Sequence, residues 1–91
     1  MLKPYQCRAA RAFLQWSQVR LAAEASLAES TVRDFEAERR APRSDNLEAI
    51  ETVLERAGIE FIKGGVKWRE GMNGHPMQIA QNDPPSAGGN E

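Results

Sequence analysis

The chain has 91 residues, 41% of them hydrophobic, with one cysteine, one histidine and a formal net charge of −1. That suffices for one small domain with a modest core. It excludes an internal disulfide and offers no apolar run near the roughly 20 residues of a membrane helix. Cys7 has no second cysteine to pair with, so it reads as a small core residue in a reducing setting. The opening residues, MLKPYQCRAAR, lack the continuous apolar core of a secretory signal, so a cytoplasmic location is expected. With no pattern placing a nucleophile beside a base, no enzyme activity is expected.

Near-neutral charge by itself argues against a nucleic-acid partner, but its distribution argues for one. Residues 1–43 hold eight Lys/Arg against five acids, a balance of +3, and residues 44–91 hold four against eight, a balance of −4. Such an asymmetry is the footprint expected when one half faces phosphate.

The spacing predicts a first helix over about Pro4 to Leu14. Proline suits the first helical position, where no amide donor is needed. Ala10, Phe13 and Leu14 supply its core face, with Cys7 one turn earlier. Arg8 reads as exposed, with a phosphate contact as the alternative. Trp16 reads as core, packed between this helix and a later one.

Ser17 to Glu36, SQVRLAAEASLAESTVRDFE, organises the rest. Ser17 is a good N-cap. Leu21, Ala22 and Ala25 then give a narrow apolar stripe, the chain turns at Ser26-Leu27, and Val32 and Phe35 close the core from a second short helix, about Ala28 to Ala37. This is the spacing of a helix-turn-helix, whose second helix is placed to enter the DNA major groove. By helical angle, Ser30, Arg33, Asp34 and Ala37 point outward, with Glu29 at the margin.

This stretch resembles the helix-turn-helix of the phage repressor and Cro group, the xenobiotic-response-element type. Gln18 falls on the glutamine that opens that motif; Ala22, Leu27, Val32 and Phe35 fall on its small and apolar core positions. The resemblance runs from about Gln6 to Ile62 and includes the segments CRAARAFLQWSQ and AGIEFI, which resemble a subgroup of small bacterial regulators. One departure is Ser26, where the family usually has glycine; a serine takes that backbone conformation at a steric cost. The resemblance implies a structural ion pair between Arg11 and Glu36. It implies a DNA-backbone contact for Gln18, where a helix N-terminus offers free amides to phosphate. It also implies a recognition helix whose reading positions are Glu29, Ser30 and Asp34. Glutamines usually stand there. An acid can accept from a cytosine amino group yet repels phosphate, so the two acids are read as orienting Arg33, the favoured base reader. The alternative for Arg33 is a phosphate contact or a solvated salt bridge. Ala28 lies at the start of the reading helix and Thr31 is a phosphate donor. Arg39, Arg40 and Arg43, stiffened by Pro42, form a basic loop suited to phosphate, with Arg43 matching a loop arginine that reaches the minor groove.

A fourth helix is predicted over about Asp45 to Ala57, opened by the D-x-x-E pattern of Asp45 and Glu48 or by Ser44. Leu47, Ile50, Val53, Leu54 and Ala57 face the core, and Gly58 ends the helix in a left-handed conformation. Then the period changes. IEFIKGGVKWRE reads as strands over about 59–63 and 66–70 around Gly64-Gly65. An isolated hairpin is marginal in water, so it must dock. Phe61, Ile62, Val66 and Trp68 are the candidate dimer contacts; the alternative is a hairpin folded on its own protomer. Residues 71–91 are read as a flexible polar tail with Met72, Met77 and Ile79 as its only anchors, and His75 has no second ligand for a metal.

The expected fold is therefore mainly α: a four-to-five-helix repressor-like helix-turn-helix domain over residues 1–70, with a short C-terminal β-hairpin and a tail over 71–91. The expected function is a sequence-specific DNA-binding transcriptional regulator that binds a near-palindromic operator as a homodimer. No cofactor, metal, membrane or small-molecule ligand is expected. The alternatives are a protein-interaction module, such as an antitoxin or anti-activator, and an excisionase-like architectural DNA-binding protein.

Overall fold

In a computed structural model, which describes residues 1–71, four helices are followed by a two-stranded antiparallel hairpin. The elements are α1 (Pro4–Leu14), α2 (Gln18–Ala25), α3 (Glu29–Glu36), α4 (Ser44–Arg56), β1 (Ile59–Ile62) and β2 (Gly65–Trp68). The expected tail, with Met72, His75, Met77 and Ile79, lies outside the described residues from position 72 on.

The starts of the first two helices and the ends of all four have local reasons. Pro4 stands at the first position of α1, and Gln6 Oε1 accepts from the Lys3 amide at 2.9 Å. The Ser17 hydroxyl caps α2 by accepting from the Arg20 amide at 2.9 Å. The first three helices end in one repeated way. Gln15, Ser26 and Glu38 take φ of 60°, 59° and 61°, in the left-handed region. In each case the following amide reaches back five residues: Trp16 to Arg11 O, Leu27 to Ala22 O, Arg39 to Asp34 O. This satisfies carbonyls that the helix leaves without partners. The turn of the motif is thus built with serine in the position where a side chain is strained. Helix α4 ends with Gly58 at φ 111°, the left-handed conformation read from the sequence.

The start of α4 corrects the expected capping box. The helix begins at Ser44 with Arg43 as its extended N-cap and no side-chain cap bond. Asp45 accepts instead from the neighbouring Asn46 amide at 2.9 Å. It lies inside the first turn rather than before it, where its charge still suits the positive helix end.

Leu14, Leu21, Ile50, Leu54, Ile59, Val32 and Cys7 are fully buried at the centre. The apolar stripes of all four helices meet there, as the 3.6 periodicity requires. Trp16 is buried as expected, and the Arg20 guanidinium lies 4.7 Å from its ring centroid. Val53, Leu27 and Phe13 are partly buried against this core. Leu2 and Gln6, which the periodicity does not single out, are buried too.

The hairpin strands pair Ile59 with Trp68 and Phe61 with Val66. Successive residues of a strand point to opposite faces, so these four share one face, and it packs on the domain's own core. Phe13 and Trp68 stack with ring centroids 5.3 Å apart. Gln6 Nε2 holds the hairpin end to α1, donating to Ile62 O at 2.8 Å and Gly65 O at 3.2 Å. The turn is Lys63-Gly64 rather than Gly64-Gly65, because Gly64 at φ 84° takes the left-handed position such a turn demands. Each strand is one residue shorter than expected, and the second starts one residue earlier, at Gly65.

Candidate nucleic-acid interface

Helix α3 has only eight residues, and one buried cluster grips its C-terminal end. The buried Glu36 carboxylate accepts from Arg11 Nε and Nη2 at 2.7 Å each, from Gln18 Nε2 at 3.0 Å and from the Cys7 thiol at 3.0 Å. Arg11 also donates to Trp16 O at 3.0 Å, tying in the turn between α1 and α2. Arg8, on an exposed site of α1, donates to the Glu36 backbone carbonyl, where a cation suits the negative end of a helix. Burial pushes the Glu36 carboxyl upward, but the bonds from Arg11, Gln18 and Cys7 outweigh it and hold the group below the usual carboxylate range. The same pairing raises the Arg11 guanidinium. Burial first, and then the bond to Glu36, push the Cys7 thiol far above its ordinary value.

With its end pinned, α3 turns Val32 and Phe35 inward and leaves the opposite side open. The exposed side carries Ser30 and Arg33, with Glu29, Thr31 and Asp34 half-buried and Ala28, the N-cap, exposed. Arg33 Nη1 donates to Glu29 Oε1 at 3.2 Å, one turn away. Asp34 does not orient Arg33. Its carboxylate pairs with Arg39 at 3.4 Å. Adjacent helical residues point about 100° apart, so only Glu29, at i−4, shares a side with Arg33.

An open cleft of about 330 Å³ runs beside this helix, lined by Ser30, Thr31, Asp34, Arg40, Pro42, Arg43 and Asn46. The structure therefore brings together five residues singled out from the sequence, two from the loop and three from α3. Glu29 and Arg33 are not among its lining residues, nor are Arg39 and Gln18. The Gln18 amide, expected on the DNA backbone, is engaged with Glu36 in the unbound protein, which leaves its second N–H and the free amides at the start of α2 for a phosphate. Asn46 was missed. It becomes visible only once the loop brings the start of α4 to the cleft, although its place in the first turn after the basic loop is a sequence signal. Of the loop arginines, Arg43 pairs weakly with Asp45 at 3.6 Å, while Arg40 forms no ion pair among the described residues.

Of the four expected dimer contacts, Phe61, Val66 and Trp68 are used within the protomer, and Ile62 is exposed at 39%. Among the described residues no helix is long and apolar enough to cross a membrane, and no group of three or more His, Cys, Asp or Glu is placed to hold a metal ion.

Two short helices packed on each other, a left-handed turn between them and a polar face beside a basic loop define a helix-turn-helix DNA-binding domain. A family model described as helix-turn-helix matches residues 8–61, more than half of the chain, and the protein belongs to that family, the xenobiotic-response-element type that includes Cro and the phage repressors. Membership makes it a DNA-binding regulator of the helix-turn-helix class. No curated protein was found to match it.

Proposed function

We propose that this regulator is sequence-specific and that it binds a near-palindromic operator as a homodimer. The observation that carries this reading is the continuity of the α3 face with the Arg40–Arg43 loop along one cleft. A duplex seated there has α3 in its major groove and one phosphate strand along the loop. Gln18, Thr31, Arg39, Arg40 and Arg43 serve phosphate, and Arg33 with Glu29, Ser30 and Asp34 faces base edges. Phosphate contacts supply much of the affinity, and base contacts the specificity.

One eight-residue helix offers few base contacts, so a second copy is required for useful affinity. A twofold dimer places two recognition helices about 34 Å apart, one turn of DNA. The hairpin is the dimer element in this reading. Its inner face is occupied, so the contact falls to Ile62 and to the strand edges that a two-stranded sheet leaves unpaired.

Selection from random duplex DNA at near-physiological salt tests the proposal. A palindrome with half-sites one turn apart supports it. Binding without a motif favours an architectural role, and no binding even at low salt favours a protein partner. Light scattering of the free protein and of Ile62→Asp tests the dimer separately.

A further inference from the structure

We infer that Glu29 is a specificity-determining residue that acts by presenting the Arg33 guanidinium to a guanine. This deepens the base-reading role proposed above and rests on it. The first helical position of α3 is Glu29, and its carboxylate lies 3.2 Å from Arg33 Nη1. Helical side chains lean toward the N-terminus, so a residue one turn along delivers its head group back over the first turn. Arg33 is thereby brought to the end of the helix that meets base edges.

The bond uses one Nη1 proton. Among the described residues Arg33 has no other polar partner, so the edge formed by Nε and Nη2 is uncommitted. Two parallel donors on a planar edge match O6 and N7 of guanine, the most common specific contact of arginine in the major groove. Held at one corner, the guanidinium loses less rotational freedom on binding, and its single orientation discriminates against adenine, whose N6 amino group is a donor at the same place. Both side chains are nearly half exposed, 46% for Arg33 and 42% for Glu29. The pair is therefore worth little to the fold.

The electrostatic alternative makes the opposite prediction. An acid beside DNA phosphates weakens binding, so removing it should raise affinity for every sequence and leave the base preference unchanged. The experiment is the same random-duplex selection run on wild type, Arg33→Ala, Glu29→Ala and Glu29→Gln. Thermal unfolding of each variant is measured in parallel to show that it is folded. Expected are a guanine in each wild-type half-site that Arg33→Ala abolishes, and a fall of about tenfold in guanine-over-adenine preference at that position in Glu29→Ala. Glu29→Gln, whose amide oxygen still accepts from Arg33, retains most of the preference. A Glu29→Ala protein that binds all sequences more tightly with the guanine preference intact overturns the inference alone. A wild type with no motif, or an Arg33→Ala protein that weakens every sequence equally, overturns the base-reading role and this inference with it.

Discussion

Replacing Glu36 by alanine should cost the domain a large part of its stability while leaving every apolar core contact of the helices in place. The carboxylate is 2% exposed and its Arg11 partner 20% exposed at the side chain. Removal leaves a largely buried guanidinium without its two shortest bonds, and the Gln18 amide and Cys7 thiol without acceptors. Breaking a buried pair by deleting one partner costs about 3–5 kcal/mol, because the other charge stays buried. A folded region of this size has a total stability of about 4–11 kcal/mol. Urea unfolding is the assay. With a slope near 1 kcal/mol per M, the midpoint should fall by about 3 M or more. The double replacement Arg11→Met with Glu36→Leu should recover most of that loss, since no unpaired charge remains. A Glu36→Ala protein destabilised by less than about 1 kcal/mol would refute the account of the cluster as the clamp on α3. The same cluster sets a pH dependence. Glu36 is held below its unfolded value, so its contribution is complete above the unfolded carboxyl value of about 4.3 and is lost as pH falls through the lower folded one. The stability difference between wild type and Glu36→Gln should be flat above about pH 5 and shrink below about pH 4.

Ser26→Gly should raise stability by about 1 kcal/mol in the same assay, because φ of 59° is strained for serine and free for glycine; no gain would mean that the turn relaxes without cost. Arg40→Ala should weaken binding to all duplexes and flatten the slope of log K against log salt by about 1, read from binding isotherms over a salt series; a loss confined to one sequence would count against a phosphate role. Cys7 is fully buried and its thiol is shifted upward by burial, so alkylation at pH 8 should proceed only as fast as the domain opens and should accelerate with urea along the unfolding curve. A fast, urea-independent reaction would contradict that burial.

The helices were legible because their periodicity is strong and their ends carry punctuation. Leu21, Ala25, Val32 and Phe35 mark the faces of α2 and α3, and proline, serine and glycine mark Pro4, Ser17 and Gly58. What escaped the sequence was long-range or geometric. Gln6 is a polar residue on a helix, and nothing local says that its amide will hold the hairpin end some 56 residues away. Gln15 and Glu38 adopt left-handed backbone without glycine, so neither announces a helix stop. The D-x-x-E pattern at Asp45 was misleading because Arg43, after Pro42, already sits in the extended conformation an N-cap needs. On the interface, the identities of the polar residues were readable and their partners were not. Which acid meets Arg33 depends on helical angle, and Asp34 goes to Arg39 because the loop curls back over the end of α3.

The placement of polar bonds also explains how so short a helix can serve as a probe. Eight residues are too few to be stable in isolation. The domain therefore anchors α3 at one end only, through Glu36 and its carbonyl, using Arg8, Arg11, Gln18 and Cys7 from two other helices. The other end has no side-chain cap, since Ala28 has nothing to offer. A capping hydroxyl there would strengthen the helix by about 1 kcal/mol, but it would occupy an amide at the tip that, in the binding mode proposed above, approaches the duplex. With Ala28 in place the Ser30 amide stays open to a phosphate or base acceptor, while the Thr31 amide donates to the Ala28 carbonyl at 3.0 Å. The stability withheld at the N-terminal tip is supplied at the C-terminal end, where the Glu36 carboxylate is buried. In the proposed binding mode the rigid end and the reading end of the helix are thus kept apart.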